Sequence, residues 1–314
     1  MKKKIAMYWG AGCGGCDVSL LGIHEKLLEL LDDIEIVFWP CATDFKYEDL
    51  EKMPDKSIDI AFYNGAIRTS ENEEIAKLLR KKSKILVAYG SCAIEGCIIG
   101  LANLYDREDI FRAVYLENET TPNKEKIVPG SRDKEEELEL PEFLPHLKVL
   151  SDVVEVDAVI PGCPPTKPVL AEALEALLSG KTEFGKSVAL CDECPRKDTK
   201  PEKIEIDRFY RWHEKQDDGK CFLAQGIICM GPATLAGCGG ECIAANIPCT
   251  GCMGPPPKVR NQGAAMLSAI ASLLGEMDEE REKEVIESIQ DMVGTFYKYT
   301  TAKLLPKGRV KDES

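Results

Sequence analysis

Three short apolar runs in this chain each end in a loop that holds glycine and cysteine. Ile5–Trp9 runs into Gly10-Ala-Gly-Cys13-Gly-Gly-Cys16, Ile85–Tyr89 into Gly90-Ser-Cys92, and Val156–Ile160 into Pro161-Gly-Cys163. A fourth run, Ile58–Tyr63, ends in Asn64-Gly65-Ala66. Runs without polar alternation suit strands buried on both faces of a parallel sheet. Helical patterns lie between them. Asp17–Leu31 places Leu20, Leu21, Leu27, Leu28 and Leu31 on one broad face, and Glu73–Arg80 and Pro168–Leu178 read the same way. The alternation predicts a doubly wound α/β domain over roughly residues 1–180. Ligands of such sheets bind at the carboxyl ends of the strands. Cys13, Cys16, Cys92 and Cys163 are therefore expected in one place, with the Asn64–Ala66 loop on the same edge.

The second half reads differently. From Lys186 to Pro257 cysteine, glycine and proline are dense and periodicity is poor, so bound metal is expected to hold the segment together. Helices are expected at Ala264–Leu274 and Glu279–Tyr299, the latter with Val285, Ile289, Met292, Val293 and Phe296 along one face. The interval from Glu117 to Pro145, with Asp133-Lys-Glu-Glu-Glu, reads as a solvated insertion. The domains implied are residues 1–180 and 181–314.

The chain holds 14 cysteines and carries a formal charge of -14. That charge argues against a nucleic-acid binder, which would show a basic face. No apolar run is long enough to span a membrane and no export leader is visible, so a cytoplasmic protein with reduced thiols is expected. Thiols in that number point to metal rather than disulfides.

Gly10, Gly12 and Gly15 also match the dinucleotide fingerprint G-x-G-x-x-G, and Asp32 and Asp33 stand near where a ribose-binding acid is sought. A nucleotide- or flavin-binding oxidoreductase domain is thus an alternative. Against it, the same loop carries Cys13 and Cys16, which nucleotide binding does not need. Four thiolates on a compact centre mean zinc or an iron–sulfur cluster. A zinc-stapled interaction protein is a further alternative, although structural zinc usually draws its ligands from short local knuckles. The later cysteines, Cys191, Cys194, Cys221, Cys229, Cys238, Cys242, Cys249 and Cys252, bring the candidate ligands to twelve. Cys41 and Cys97 are left over and are expected to be buried small side chains.

Cys13-Gly-Gly-Cys16, Gly90-Ser-Cys92-Ala, Pro161-Gly-Cys163-Pro-Pro, Cys229-Met-Gly-Pro and Pro248-Cys249-Thr-Gly-Cys252 stand in the order seen in small subunits of [NiFe]-hydrogenases. Over residues 5–257 the chain resembles that family, and within it the cytoplasmic methyl-viologen-reducing enzymes of methanogenic archaea. The resemblance implies a flavodoxin-like domain followed by a mostly irregular cluster-binding domain with terminal helices. It implies three [4Fe–4S] clusters: a proximal one on Cys13, Cys16, Cys92 and Cys163, a medial one on Cys238, Cys242, Cys249 and Cys252, and a distal one on Cys191, Cys194, Cys221 and Cys229. Electrons from H2 oxidation at a nickel–iron centre in a separate large subunit would pass along this chain. They would reach a small iron–sulfur subunit and a heterodisulfide reductase complex. Small subunits of deazaflavin-coenzyme-reducing or sulfur-reducing hydrogenases are nearby alternatives.

Many relatives bind the distal cluster with a histidine where this chain has Cys191, and many have only three medial cysteines where Cys242 adds a fourth. His24, His146 and His213 are therefore expected to be ordinary surface or packing residues, His24 on the first helix. Asp17 and Glu95, beside proximal ligands, are expected to cap a helix and to lie at a surface or interface, with proton movement or large-subunit contact as the alternative.

Overall fold

The uninterrupted apolar runs form four of the five strands of a parallel sheet. The computed structural model describes residues 2–120, 122–129 and 140–308. The acidic stretch Asp133–Glu137, read from sequence as part of a solvated insertion, lies outside the described residues. Packing divides the chain into two units, Met1–Ile160 with Thr301–Ser314, and Pro161–Thr300. This boundary falls at Ile160, whereas the change of composition falls near residue 180; helix Lys167–Leu178 lies between the two.

The strands of the first unit are β1 (Lys3–Trp9), β2 (Ile34–Phe38), β3 (Ile58–Asn64), β4 (Ile67–Thr69), β5 (Ser83–Tyr89), β6 (Phe143–Lys148) and β7 (Ala158–Ile160). The parallel sheet has the order β2-β1-β3-β5-β7. This is the flavodoxin-like order, whose ligands bind where it reverses, between β1 and β3. Ile5 pairs with Ile36 and Ile60, and Ile60 with Ile85. The register leaves Trp9, Asn64 and Tyr89 level, so the loops after β1, β3 and β5 leave from one edge. Every residue of β3 but Asp59 is buried, as a central strand covered on both faces requires. Helix Ser70–Lys82 packs Ile75, Ala76 and Leu79 into this core. Thr69 caps its start by accepting from the Asn72 amide, and Arg80, Lys81 and Lys82 complement its carboxyl end.

Three elements depart from the sequence expectation. The helix expected over Asp17–Leu31 is two helices, Gly15–Leu21 and Glu25–Asp33. His24 breaks them by taking a φ of 53°, and so stands exposed before the second helix rather than within the first. The leucine face is only partly packed within the described residues, with Leu20 and Leu27 half-buried. Val18, Leu21 and Leu28 are 66%, 53% and 67% exposed. The helix expected over Glu279–Tyr299 is likewise split into Glu279–Glu287 and Met292–Phe296. Asp291 takes φ 45° between them, and its carboxylate accepts from the Gly294 amide to start the second piece. Finally, β2 and the antiparallel pair β4–β6 have no counterpart in the reading of the sequence.

The chain's last described residues return to the first unit. Helix Thr301–Leu304 lays Ala302 so close to Gly96 that a Cβ there would come within 2.3 Å of the Ala302 Cβ. Asn103 Nδ2 donates to Leu147 O and Leu305 O, while its Oδ1 accepts from Leu147 N.

The second unit is built on helices Lys167–Leu178, Gln262–Leu273 and Glu279–Glu287 with long irregular connections. Its core gathers Phe209, Phe222, Met266, Ile270, Val285 and Phe296. No helix among the described residues is long and apolar enough to cross a membrane.

Candidate metal centres

The glycines after β1 serve loop packing. Ala11 and Ala66 exchange both backbone hydrogen bonds, at 2.8 and 2.6 Å, which clips the β1 loop to the β3 loop. Gly65 lies at φ 86°, and a Cβ on it would stand 2.7 Å from the Gly10 carbonyl carbon. A Cβ on Gly10 would in turn meet Tyr63 Oη at 2.7 Å. The dinucleotide alternative also loses its acid. Asp32 and Asp33 end a helix and enter β2 at its amino end. Because β2 runs parallel to β1, both aspartates lie at the opposite edge from the glycine loop.

The Cys13–Cys16 loop is fixed by its neighbours. Cys13 Sγ accepts from the Gly15 amide at 3.4 Å, and Trp9 Nε1 donates to Gly12 O at 3.1 Å. The Cys16 carbonyl accepts from the Tyr89 hydroxyl at 2.8 Å. Asp17, the next residue, does not cap its helix. It is buried, and its two oxygens accept from Trp39 Nε1 and Asn64 Nδ2, each at 2.8 Å. These donors sit just after β2 and at the end of β3, so the expected capping role is replaced by a buried tie between strand ends. Cys92 opens helix Ser91–Glu95 after Gly90, whose φ is 82°. Glu95 is buried rather than at a surface, because Lys303 Nζ donates to it at 2.9 Å. Burial raises the Glu95 carboxyl above its ordinary value, with Lys303 opposing. Cys97 is buried. Cys41 is exposed, contrary to the expectation of a packed thiol. The Trp39 carbonyl accepts from the Ala42 and Thr43 amides and turns the chain outward there.

The second unit holds nine thiols, and the eight after Cys163 fall into two neighbourhoods. Cys191, Cys194, Cys221 and Cys229 line one cavity with Leu190, Phe222, Leu223 and Ile243. The sulfurs of Cys191 and Cys229 both approach Gly231, where a Cβ would stand 3.3 and 3.7 Å from them. Burial pushes the Cys191 thiol up to about 11 and the Cys229 thiol up to about 12. Burial raises the Cys252 thiol to about 12, and Cys163, Cys238 and Cys242 are its neighbours. Cys249 is buried, and its carbonyl accepts from the Met230 amide at 2.8 Å, joining the two neighbourhoods through backbone. Glu193 Oε1 accepts from the Gly237 and Gly239 amides on either side of Cys238, at 2.7 and 2.8 Å.

One contact recurs in both units. The amide two residues on donates to the cysteine sulfur at Cys13, Cys194, Cys229, Cys238 and Cys249. In four of these the donor is a glycine: Gly15, Gly231, Gly240 and Gly251. Such bonds favour the charged sulfur over the thiol, and bonds of this kind tune iron–sulfur centres. The donor set of Cys191, Cys194, Cys221 and Cys229 therefore fits a cluster: four sulfurs to a cavity, apolar walls, and amides aimed at sulfur. The signal Cys-x-Gly is present in the sequence at Cys13, Cys229, Cys238 and Cys249. Of the histidines, His213 is exposed beside Trp212, and neither it nor His24 or His146 lines the Cys191 cavity.

The family model for the 20 kDa subunit of NADH ubiquinone oxidoreductase matches residues 13–177. A subunit of the F420-non-reducing hydrogenase of Methanothermobacter marburgensis is 39% identical over 99% of this chain and 98% of its own length. The chain belongs to this family of hydrogenase small subunits. The iron–sulfur subunit of the F420-non-reducing hydrogenase of Archaeoglobus profundus is 38% identical, with 96% of each chain covered. Among solved structures, a chain of an NAD+-reducing [NiFe]-hydrogenase in its H2-reduced state superposes with a TM-score of 0.50 at 31% identity, covering 59% of this chain and 96% of that one. As a hydrogenase small subunit, the chain is part of an oxidoreductase.

Proposed function

We propose that the chain is the cytoplasmic electron-transfer subunit of a [NiFe]-hydrogenase and carries electrons from H2 oxidation in a large subunit through three [4Fe–4S] clusters. The observation that carries this reading is the gathering of thiols with amides aimed at their sulfurs. Cys191, Cys194, Cys221 and Cys229 would hold the distal cluster, and Cys238, Cys242, Cys249 and Cys252 the medial one. Cys13, Cys16, Cys92 and, by motif order, Cys163 would hold the proximal one. Bound there, each cluster would supply a one-electron carrier. The chain's own part is to hold thiolates in place, exclude water and set potentials by amides and charges. Because buried thiols such as Cys229 resist ionisation, loading must release protons, and metal drives that release.

The exposed Val18, Leu21 and Leu28, on helices that follow Cys16, suit cover by the large subunit. A small iron–sulfur subunit and a heterodisulfide reductase complex would take the electrons at the other end. Iron analysis of anaerobically purified protein tests the proposal. About twelve irons per chain is expected from three four-iron clusters; zinc with little iron would sink it.

Cys242 is exposed on the short helix Glu241–Ala244. Replacing Cys242 by alanine is expected to leave three thiolates at the medial site. Iron should fall by about one per chain as a four-iron cluster becomes a three-iron one. Paramagnetic resonance of the oxidised protein and the iron count check this, and an unchanged spectrum would remove Cys242 from the ligand set.

A further inference from the structure

Arg196 is a buried charge beside the thiol cavity of the second unit. Its amide donates to Cys194 Sγ at 3.4 Å, and the residue lines the cavity of Cys191, Cys194, Cys221 and Cys229. The guanidinium lies 4.0 Å over the Phe222 ring. It is held by Asp217 in a two-pronged pair, at 2.7 and 2.6 Å, and donates also to Lys220 O and Asn246 Oδ1, each at 2.8 Å. Asp217 does not line that cavity. It lines the neighbouring surface cavity together with Trp212, His213 and Asn246. The pair is thus a fixed dipole, positive toward the thiols and negative toward the outer surface. Gln225 Nε2 and the Gly219 amide also donate to Asp217 Oδ1, at 3.0 and 3.1 Å, and keep the dipole from turning. Asp192 and Lys200, also near Cys191, are exposed and are screened by solvent.

We propose that Arg196, oriented by Asp217, raises the reduction potential of the distal centre. This rests on the distal cluster assigned above. A four-thiolate cluster gains one unit of negative charge on reduction. A positive charge fixed in low dielectric stabilises the reduced form more than the oxidised one. The aspartate subtracts part of that effect because it is farther away on the outer side. Lysine at 196 would keep the charge without the planar two-pronged grip.

The test is a redox titration of the iron-loaded chain in its native complex, followed by paramagnetic resonance, with iron counted in each variant. Arg196→Gln is expected to lower the midpoint of one centre alone. Asp217→Asn is expected to raise the midpoint of that same centre, and Arg196→Lys to restore it most of the way to wild type. A purely structural role would move Arg196→Gln and Asp217→Asn in the same direction or cost both their iron. Shifts of the same sign, or none with iron retained, overturn the proposal. Should Arg196→Gln lose its iron, Asp217→Asn decides alone, since an upward shift is required of it. Failure of the underlying reading looks different. The wild-type chain would then lack the third centre, with about eight irons in place of twelve.

Discussion

Anaerobic removal of iron is expected to unfold residues 161–300 and to leave the parallel sheet of the first unit standing. The two units are held by different means. In the first, strand ladders and a double-covered core of Tyr8, Phe38, Tyr63, Leu79 and Leu86 persist without metal. In the second, the segment between Lys186 and Pro257 has short turns such as Leu190–Asp192 and Leu223–Gln225 where the first unit has sheet. Its cavity walls are thiols that make poor hydrogen bonds and gain little by packing against an empty centre. Metal binding to thiolates is worth about 10 kcal/mol or more in small zinc domains. A domain's whole stability is about 5–15 kcal/mol, so losing the two proposed clusters would exceed what the Phe209–Phe222–Val285 core can offset. Hydrogen exchange before and after chelation measures this region by region. Protection should collapse over residues 161–300 and survive in β1, β3 and β5. Equal loss in both units, or protection kept throughout, would falsify the division of labour.

How much of this was legible in sequence depended on which force built each part. The three central strands were readable because burial on both faces demands uninterrupted apolar runs, and Ile58–Asn64 is nearly all buried; the edge strand Ala158–Ile160 was readable only as the end of a short apolar run. The edge strand Ile34–Phe38 was not. Its alternating Ile-Glu-Ile follows helix Glu25–Asp33 with no turn residue between, so no punctuation marks the change of period. The helix breaks at His24 and Asp291 use positive φ at non-glycine residues, which local propensity does not advertise. The return of Thr301–Leu304 to the first unit depends on Gly96, Asn103 and Leu147, some two hundred residues or less away, and long-range pairing leaves no local trace. For the site, residue type was legible and neighbourhood was not. Cysteine spacing alone does not say that Cys221 and Cys229 share a cavity with Cys191 rather than with Cys238. The surroundings of Asp17 and Glu95 were hidden for the same reason. Each acid lies beside a cysteine in sequence, but its partners, Trp39 with Asn64 and Lys303, come from elsewhere in the chain.

Asp17→Ala is expected to be the most damaging single substitution near the first thiols that touches no sulfur. The carboxylate is 7% exposed and is the acceptor for two side-chain donors that have no other route to water. Asn64 Nδ2 would keep its bond to Tyr8 O at 3.1 Å, but Trp39 Nε1 would lose its partner in a residue only 4% exposed. Leaving buried donors unmade costs about 1–3 kcal/mol each, so a loss of about 2–5 kcal/mol is expected. Asn at 17 should recover little. One of its two polar atoms becomes a donor, and both positions it must fill already face donors. Beyond stability, the substitution should loosen the Cys16 end of the loop, because Asp17 is what ties that turn to the ends of two strands while Tyr89 holds the Cys16 carbonyl. Denaturant titration of the iron-loaded chain measures the first effect. The rate at which a chelator removes the iron proposed for Cys13 and Cys16 measures the second, and should rise in Asp17→Ala and Asp17→Asn alike. A variant as stable as the parent, with unchanged iron release, would show that the buried carboxylate is dispensable and that the Tyr89 hydroxyl and the Ala11–Ala66 clip suffice to hold the loop.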